Sequence, residues 1–268
     1  AENLVADSGR RDRFLRWAAA AAGLVAVAAL AQPYAAGIAY DAMAGPFQNR
    51  NTYCSFVELL LPVAVWFAAR DRASEWLWWT AAAAMAASVV ATGSRAGTAL
   101  VMAELAFLFL FSKQRKKAFA VAASLAAVWI LAAGWDTLSW RIRLDDPMRY
   151  RTEMIASAAR MAAERPYTGF GLGAFIDAYP RFSTFDVGRV VNHAHNDWVE
   201  WAAEGGAVLV LLLAAPWILL FRRAKLWAAG LLFVFLPSLI DYPMQRAGMS
   251  VWVWLILAAA TAPGALRR

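Results

Sequence analysis

Apolar stretches of 14 to 25 residues recur along this chain, and clusters of arginine and lysine separate them. A helix needs about 20 mostly apolar residues to cross the hydrocarbon of a bilayer. Eight segments approach or reach that length: 14–32, 53–69, 74–92, 97–111, 118–134, 197–221, 226–240 and 249–262. The fourth and seventh are short, which predicts a tilted pair or spans that cross where neighbours thin the lipid. Composition agrees: 62% of the 268 residues are hydrophobic and 17% charged, against roughly half and a quarter in water-soluble domains. Fourteen tryptophans suit the boundary between lipid and water. The first segment has basic flanks and no nearby cleavage pattern, so it reads as a span and not as a signal peptide. The single cysteine, Cys54, excludes an internal disulfide.

Positive residues near span ends are retained in the cytoplasm. Arg10, Arg11, Arg13 and Arg16 precede the first span, Arg70 and Arg72 follow the second, and Lys113, Arg115, Lys116 and Lys117 follow the fourth. Arg222, Arg223 and Lys225 follow the sixth, and Arg267 with Arg268 ends the chain. Every second connection is therefore basic. This places fifteen of the 26 cations and both termini on one face, the cytoplasmic one. The formal charge of +7 is then mainly a topological signal and does not call for nucleic acid. The expected fold is all-α, a polytopic transmembrane helix bundle of about eight spans with a large, partly helical outer loop. Residues 1–134 carry the first five spans, 135–196 the loop and 197–268 the last three, in one integrated membrane domain.

The outer segments are 33–52, the Gly93-Ser94-Arg95-Ala96 turn, the long 135–196 loop and 241–248. Structureless loops beyond about 15 residues are usually functional or disordered, so the long loop is where chemistry is sought. Its residues 151–164 predict an amphipathic helix with Met154, Ile155, Ala158, Ala159, Met161 and Ala162 on one side. Pro166 and the Gly169, Gly171 and Gly173 series end it. That glycine run follows a helix and a proline, not a strand, so a dinucleotide fingerprint is rejected; a tight loop or close chain approach is expected instead.

The only two histidines stand in His193-Ala194-His195-Asn196, where the long loop re-enters the membrane. An imidazole titrates near neutrality and can take a proton from a hydroxyl. Asn196, Asp197, Glu200 and Glu204 are close enough in sequence to orient it. Surface histidines on a polar loop are the plainer reading. A zinc site is a third, without a third ligand at recognised spacing. Arg95, at the outer end of two spans, is costly unless it snorkels, pairs or faces a polar cavity. Arg50, Arg149, Arg151 and Arg246 share its face, and cations so placed suit a diphosphate. The long loop is nearly balanced, however, with Arg141, Arg143, Arg149, Arg151, Arg160, Arg165, Arg181 and Arg189 facing Asp136, Asp145, Asp146, Glu153, Glu164, Asp177 and Asp186. Most of those arginines fit solvated ion pairs. Asp241 reads as an exposed loop acid or as a polar wall of a cavity. Glu58 and Glu104, inside spans, are expected to face protein or water.

These residues, in this order, resemble the O-antigen ligase and polysaccharide polymerase superfamily of bacterial inner-membrane glycosyltransferases. Gly45-Pro46-Phe47-Gln48-Asn49-Arg50-Asn51 is similar to the family's Gly-x-Phe-x-Asn-Arg-Asn stretch, and Ser94-Arg95-Ala96-Gly97 to its Ser-Arg-Gly/Ala turn. Arg151, with Arg165-Pro166-Tyr167-Thr168-Gly169-Phe170-Gly171-Leu172-Gly173-Ala174-Phe175, resembles its arginine and glycine-rich run. His193-Ala194-His195-Asn196 with Glu200, Glu204 and Gly206 resembles its His-x-His-Asn-x-x-x-Glu-x-x-x-Glu-x-Gly, and Asp241-Tyr242-Pro243 its late Asp-Phe motif.

The resemblance implies transfer of a glycan from undecaprenyl diphosphate to an acceptor hydroxyl at the periplasmic face of the inner membrane, with no cofactor and no catalytic metal. The acceptor classes are a glycan, lipid A core or protein. His195, Arg95 and Arg151 are implied as catalytic, with His193, Asn196, Arg50, Asn51, Gly171, Gly173 and Asp241 lining the substrate. Family members usually have around a dozen spans, so eight suggests a chain without its N-terminal helices, and Ala1 in place of methionine agrees. Leu209 stands where ligases often carry a second glycine, which favours a polymerase or another acceptor specificity. A non-catalytic transporter or flippase-like binder of the same lipid is the alternative. It calls for mid-membrane groups and related half-repeats.

Overall fold

The computed structural model describes residues 7–37, 44–111, 149–184, 188, 190–223 and 225–262. The expected fifth span lies outside them, as do the basic cluster 113–117, Arg141, Arg143, Arg189, Arg267, Arg268, Asp136, Asp145, Asp146 and Asp186. The described residues form α-helices, 3-10 turns and loops, with no strand among them. Among the described residues three helices are long and apolar enough to cross a membrane: Ser8–Ala36, Arg50–Arg70 and Asp197–Leu220. The chain divides into two compact units. One comprises Ala1–Arg143, Arg223–Val234 and Val251–Arg268; the other comprises Leu144–Arg222 and Phe235–Ser250.

In the first unit α1 (Ser8–Ala36), α2 (Arg50–Arg70), α3 (Glu75–Ala91) and α4 (Arg95–Phe111) pack together. Local signals set their ends. The Asp7 carboxylate accepts from the Gly9 amide at 2.9 Å, and Gly37 closes α1. The Asn49 side chain accepts from the Asn51 amide at 2.7 Å to start α2. α1 buries a face of small residues, Ala18, Ala19, Ala22, Gly23 and Ala26, which lets helices approach closely where lipid supplies no hydrophobic drive between them. α2 is buried nearly all round, from Tyr53 to Ala68, as its unbroken apolar run requires.

The two ends of this unit differ in chemistry. At one, Arg16 meets Asp71 at 2.8 Å and Arg70 meets Asp12 at 2.7 Å, so α1 and α2 run antiparallel. Lys225 belongs to the same end: burial lowers its ammonium below the ordinary lysine range, and Arg11 and Arg70 lower it further. At the other end Gln32 exchanges two hydrogen bonds with the Gly45 backbone, at 2.9 and 3.1 Å. Between the ends, Glu58 and Glu104 are fully buried by protein. Among the described residues their carboxyl oxygens have no hydrogen-bond partner.

The seventh expected segment is not one straight span. It is a 3-10 turn (Leu226–Ala228), a short α8 (Ala229–Phe235) and a second 3-10 turn (Pro237–Leu239). Pro237 cannot donate into a continuing helix. The last helix, α9, is Ala247–Thr261.

The second unit contains α5 (Arg149–Glu164), the short α6 (Phe175–Ala178) and α7 (Asp197–Arg223). α5 is the expected amphipathic helix, with its face rotated from the sequence reading. Ser157, Ala158 and Met161 are buried and Met154 partly so, whereas Ala159 is exposed. Ala158 and Met161 join Phe175, Tyr179, Ala194 and Ala203 in a core that ties α5, α6 and α7 together.

Candidate active site

The glycine-rich loop is built into α7. Gly206 breaks that helix with φ 64° and ψ −167°. The break releases two carbonyls from the helical ladder: Ala203 O accepts from the Phe170 amide at 2.9 Å and Glu204 O from the Gly171 amide at 2.8 Å. In return the Ala207 amide donates to Pro166 O at 2.7 Å. The chains are so close that a Cβ on Gly206 would stand 2.3 Å from the Tyr167 carbonyl carbon, and one on Gly169 2.2 Å from that of Glu204. The Glu204 side chain then accepts from the Phe175 amide at 3.1 Å.

The segment ahead of α7 carries both histidines and is held equally firmly. His195 has φ 56°, the single non-glycine residue at positive φ among the described residues. A bulky residue there is strained, and such strain clusters at functional sites. Its neighbours enforce it. Asn196 caps α7 by accepting from the Val199 amide at 2.9 Å, while its amide donates to Leu239 O at 2.8 Å. Glu200 accepts from the Ala194 amide at 2.6 Å and lies 2.8 Å from His193 Nδ1.

The same helix end fixes the loop after α8. Buried Asp197 accepts from the amides of Met244 and Gln245 at 3.0 and 3.1 Å, and Trp198 Nε1 donates to Ser238 Oγ at 2.9 Å. That docking brings Asp241 beside His195, with Oδ1 3.3 Å from Nδ1, an ion-pair distance without hydrogen-bond alignment. Arg151 reaches Asp241 from α5, Nη2 to Oδ2 at 3.6 Å, and donates from Nη1 to Ile240 O at 3.1 Å. Tyr242 stacks on His193 with ring centres 4.3 Å apart and meets His195 edge-on at 4.8 Å. Arg246 donates to the Tyr242 hydroxyl at 2.7 Å, with its guanidinium 4.7 Å from the ring centre.

These groups border a cavity of about 560 Å³ whose lining includes Tyr150, Asn192, His193, His195, Tyr242 and Arg246. With Nδ1 buried against Asp241, Nε2 of His195 is the nitrogen left to act on a bound molecule. The arrangement offers an imidazole at ion-pair distance from a carboxylate, a second imidazole held by its own carboxylate, and a guanidinium on the same wall. Among the described residues no three His, Cys, Asp or Glu side chains converge as metal ligands.

Seven of the ten expected site residues thus fall in this unit. His195 and His193 line the cavity, and Asp241 and Arg151 sit behind His195. Asn196 spends both ends of its amide on protein, and Gly171 gives its amide to α7. Gly173 lines a second cavity. Arg50, Asn51 and Arg95 belong to the first unit. There Ser94 Oγ donates to Asn51 Oδ1 at 3.0 Å and accepts from the Gly97 amide at 3.2 Å, so two motifs 43 residues apart interlock. Arg50 begins α2 and exposed Arg95 begins α4.

The sequence reading held Tyr242 only as a member of the late Asp-Phe motif, with no role, and did not single out Asn192, Tyr150 or Gln245. The available signal was Tyr242 between Asp241 and Arg246, an aromatic residue four positions ahead of an arginine.

The described residues define a helical membrane protein that presents a histidine–carboxylate–arginine constellation on its second unit. The family model described as O-antigen ligase matches residues 80–214, half of the chain, and the chain belongs to that family. It is accordingly a glycan-transferring enzyme of the ligase and polymerase type, acting on lipid-linked glycan and an acceptor in a membrane. Comparison with the curated proteins gives no match.

Proposed function

We propose that the chain transfers a glycan from undecaprenyl diphosphate to an acceptor hydroxyl at the periplasmic face of a bacterial inner membrane, using about eight spans. The observation that carries the proposal is the meeting of His195, Asp241 and Arg151, drawn from three sequence-distant segments, beside one cavity. The orientation rests on the charge alternation, supported by the gathering of Arg16, Arg70 and Lys225 at one end of the first unit.

In this reading His195 Nε2 takes the proton of the acceptor hydroxyl as its oxygen attacks the anomeric carbon. The bond from that carbon to the diphosphate oxygen breaks, and the diphosphate leaves with the electron pair. Attack opposite the leaving group inverts the anomeric centre. Asp241 holds the imidazole and stabilises its protonated form. Arg151 and Arg246 are the cations assigned to the developing diphosphate charge, with His193 assisting, and the family resemblance also assigns Arg95, Arg50 and Asn51 to the substrate. The acceptor is a glycan, lipid A core or protein.

The test is transfer by the purified chain from a diphosphate-linked lipid glycan. Loss of a general base costs about 10²- to 10⁴-fold in rate, so His195→Ala is expected to fall by at least ~100-fold. Wild-type turnover in His195→Ala would overturn the assignment. Binding of the lipid without transfer by the wild-type chain would instead make it a non-catalytic binder.

A further inference from the structure

A second cavity in the same unit shares Asn192 and His193 with the first. Its volume is about 400 Å³, within the roughly 300–1,000 Å³ range of small-molecule sites. Glu200, Trp201 and Glu204 face it from one turn of α7, Gly173 from the glycine-rich loop and Gln245 from the turn after Asp241. We infer that this cavity is a pyranose site that holds a sugar ring next to the reaction centre.

The lining chemistry selects this ligand. Trp201, 8% exposed, supplies an aromatic wall. Glu200 has one oxygen on the Ala194 amide at 2.6 Å and the other 2.8 Å from His193 Nδ1, Glu204 has one on the Phe175 amide at 3.1 Å, and a carboxylate oxygen has a second lone pair with which to accept. Nε2 of Gln245 is buried without a hydrogen-bond partner among the described residues, which is costly unless a ligand or water accepts from it. A cavity that offers carboxylate acceptors, an amide donor and an aromatic wall matches the ring hydroxyls and apolar C–H edge of a pyranose. Two carboxylates repel a phosphate, whereas the first cavity carries Arg246. The charged and neutral parts of a glycosyl diphosphate would thus sort to the two sides of His193. The assignment deepens the proposed transfer reading and rests on it, with the sugar belonging either to the donor or to the acceptor.

Saturation-transfer NMR on the full chain in lipid nanodiscs tests it, with methyl glucopyranoside and methyl N-acetylglucosaminide as probes. Saturation of the ring protons of at least one probe is expected, and Gln245→Leu should weaken its binding about tenfold, the worth of one well-placed hydrogen bond. Leu213→Trp, on a partly exposed position of α7 that also lines the cavity, should abolish binding by filling the space and removes no hydrogen bond. It carries the test if Gln245→Leu does not fold. Inorganic pyrophosphate should leave the signal unchanged. No saturation with either probe, a signal indifferent to both substitutions, or displacement by pyrophosphate overturns the site. The readout needs no turnover. Pyranoside binding by a wild-type chain that transfers nothing would sink the transfer reading and leave this site standing. In a transfer assay, Gln245→Leu raising the donor KM assigns the ring to the donor, and raising the acceptor KM assigns it to the acceptor.

Discussion

The two units use their sequence motifs in opposite ways. In the first, motif residues bond to one another: Asn51, Ser94 and Gly97 interlock, and Cys54 lies against Thr92, Sγ to Oγ1 at 3.6 Å. In the second, backbone amides and buried carboxylates hold the loops so that His193, His195, Tyr242 and Arg246 face a cavity. A motif therefore marks two kinds of demand, close helix approach in one unit and an enforced presentation of side chains in the other. Residue type alone separates them poorly, since both motifs mix glycine, asparagine and arginine.

Glycine substitutions break this comparison most severely. Gly206→Ala combines positive φ with a Cβ 2.3 Å from backbone, and no side-chain change can relieve it. We expect a loss of more than about 4 kcal/mol, in the range reserved for backbone strain and overpacking, seen as absence of folded protein. Gly97→Ala instead places its Cβ 2.6 Å from Cys54 Sγ and 2.8 Å from Cys54 Cβ. A Cys54→Gly partner should restore most of its thermal stability, less about 1 kcal/mol for glycine inside a helix. If Cys54→Gly rescues nothing, side-chain packing is not what Gly97 serves.

His195 sharpens the contrast by separating stability from activity. Relief of left-handed strain in His195→Gly is worth about 1 kcal/mol, and the extra freedom of glycine in the unfolded chain costs about 0.5–1 kcal/mol. Stability should therefore stay within about 0.5 kcal/mol of wild type while transfer falls at least ~100-fold. A large loss of Tm would show that the contacts of the imidazole with Tyr242 and Asp241 hold the segment. Tyr242→Phe is milder. It keeps the ring against His193 and removes only the hydroxyl that orients Arg246, so the donor KM should rise about three- to tenfold with little change in kcat. A fall in kcat alone would move Tyr242 from positioning to chemistry.

Much of the fold was legible because apolar runs are local. The run 53–69 became a buried helix. His193, His195 and Glu200 were legible as a group because all lie within one loop and one helical turn. The pairing of Arg151 with Asp241, 90 residues apart, was not, since it depends on Asp197 docking the Met244 and Gln245 amides. The rotated face of α5 was missed for a related reason: Ser157 is buried because Glu153 accepts its hydroxyl at 3.2 Å, so a polar residue took a core position. The broken seventh segment follows from Pro237, whose hydrophobicity hides its effect on the backbone.

The smallest expected effect concerns how firmly the loop after α6 is held. Glu153 accepts from Thr184 Oγ1 and from Arg160 at 2.8 Å, and Arg160 also donates to Phe182 O at 3.1 Å. The Thr184 hydrogen bond, followed by that of Arg160, holds the Glu153 carboxyl below the ordinary carboxylate range. A carboxylate lowered in the folded state contributes stability that is complete above its unfolded value and lost as pH falls through its folded value. Amide protection at Phe182 to Thr184, taken relative to the intrinsic exchange rate at each pH, should therefore be steady near neutrality and fall below about pH 4, with a total effect of at most about 1 kcal/mol for so accessible a pair. Glu153→Gln should give the faster exchange at every pH and lose the acid dependence. A pH-independent wild type would show that α5 holds this loop through Phe182 packing, and the second unit would then resemble the first in relying on contacts that do not titrate.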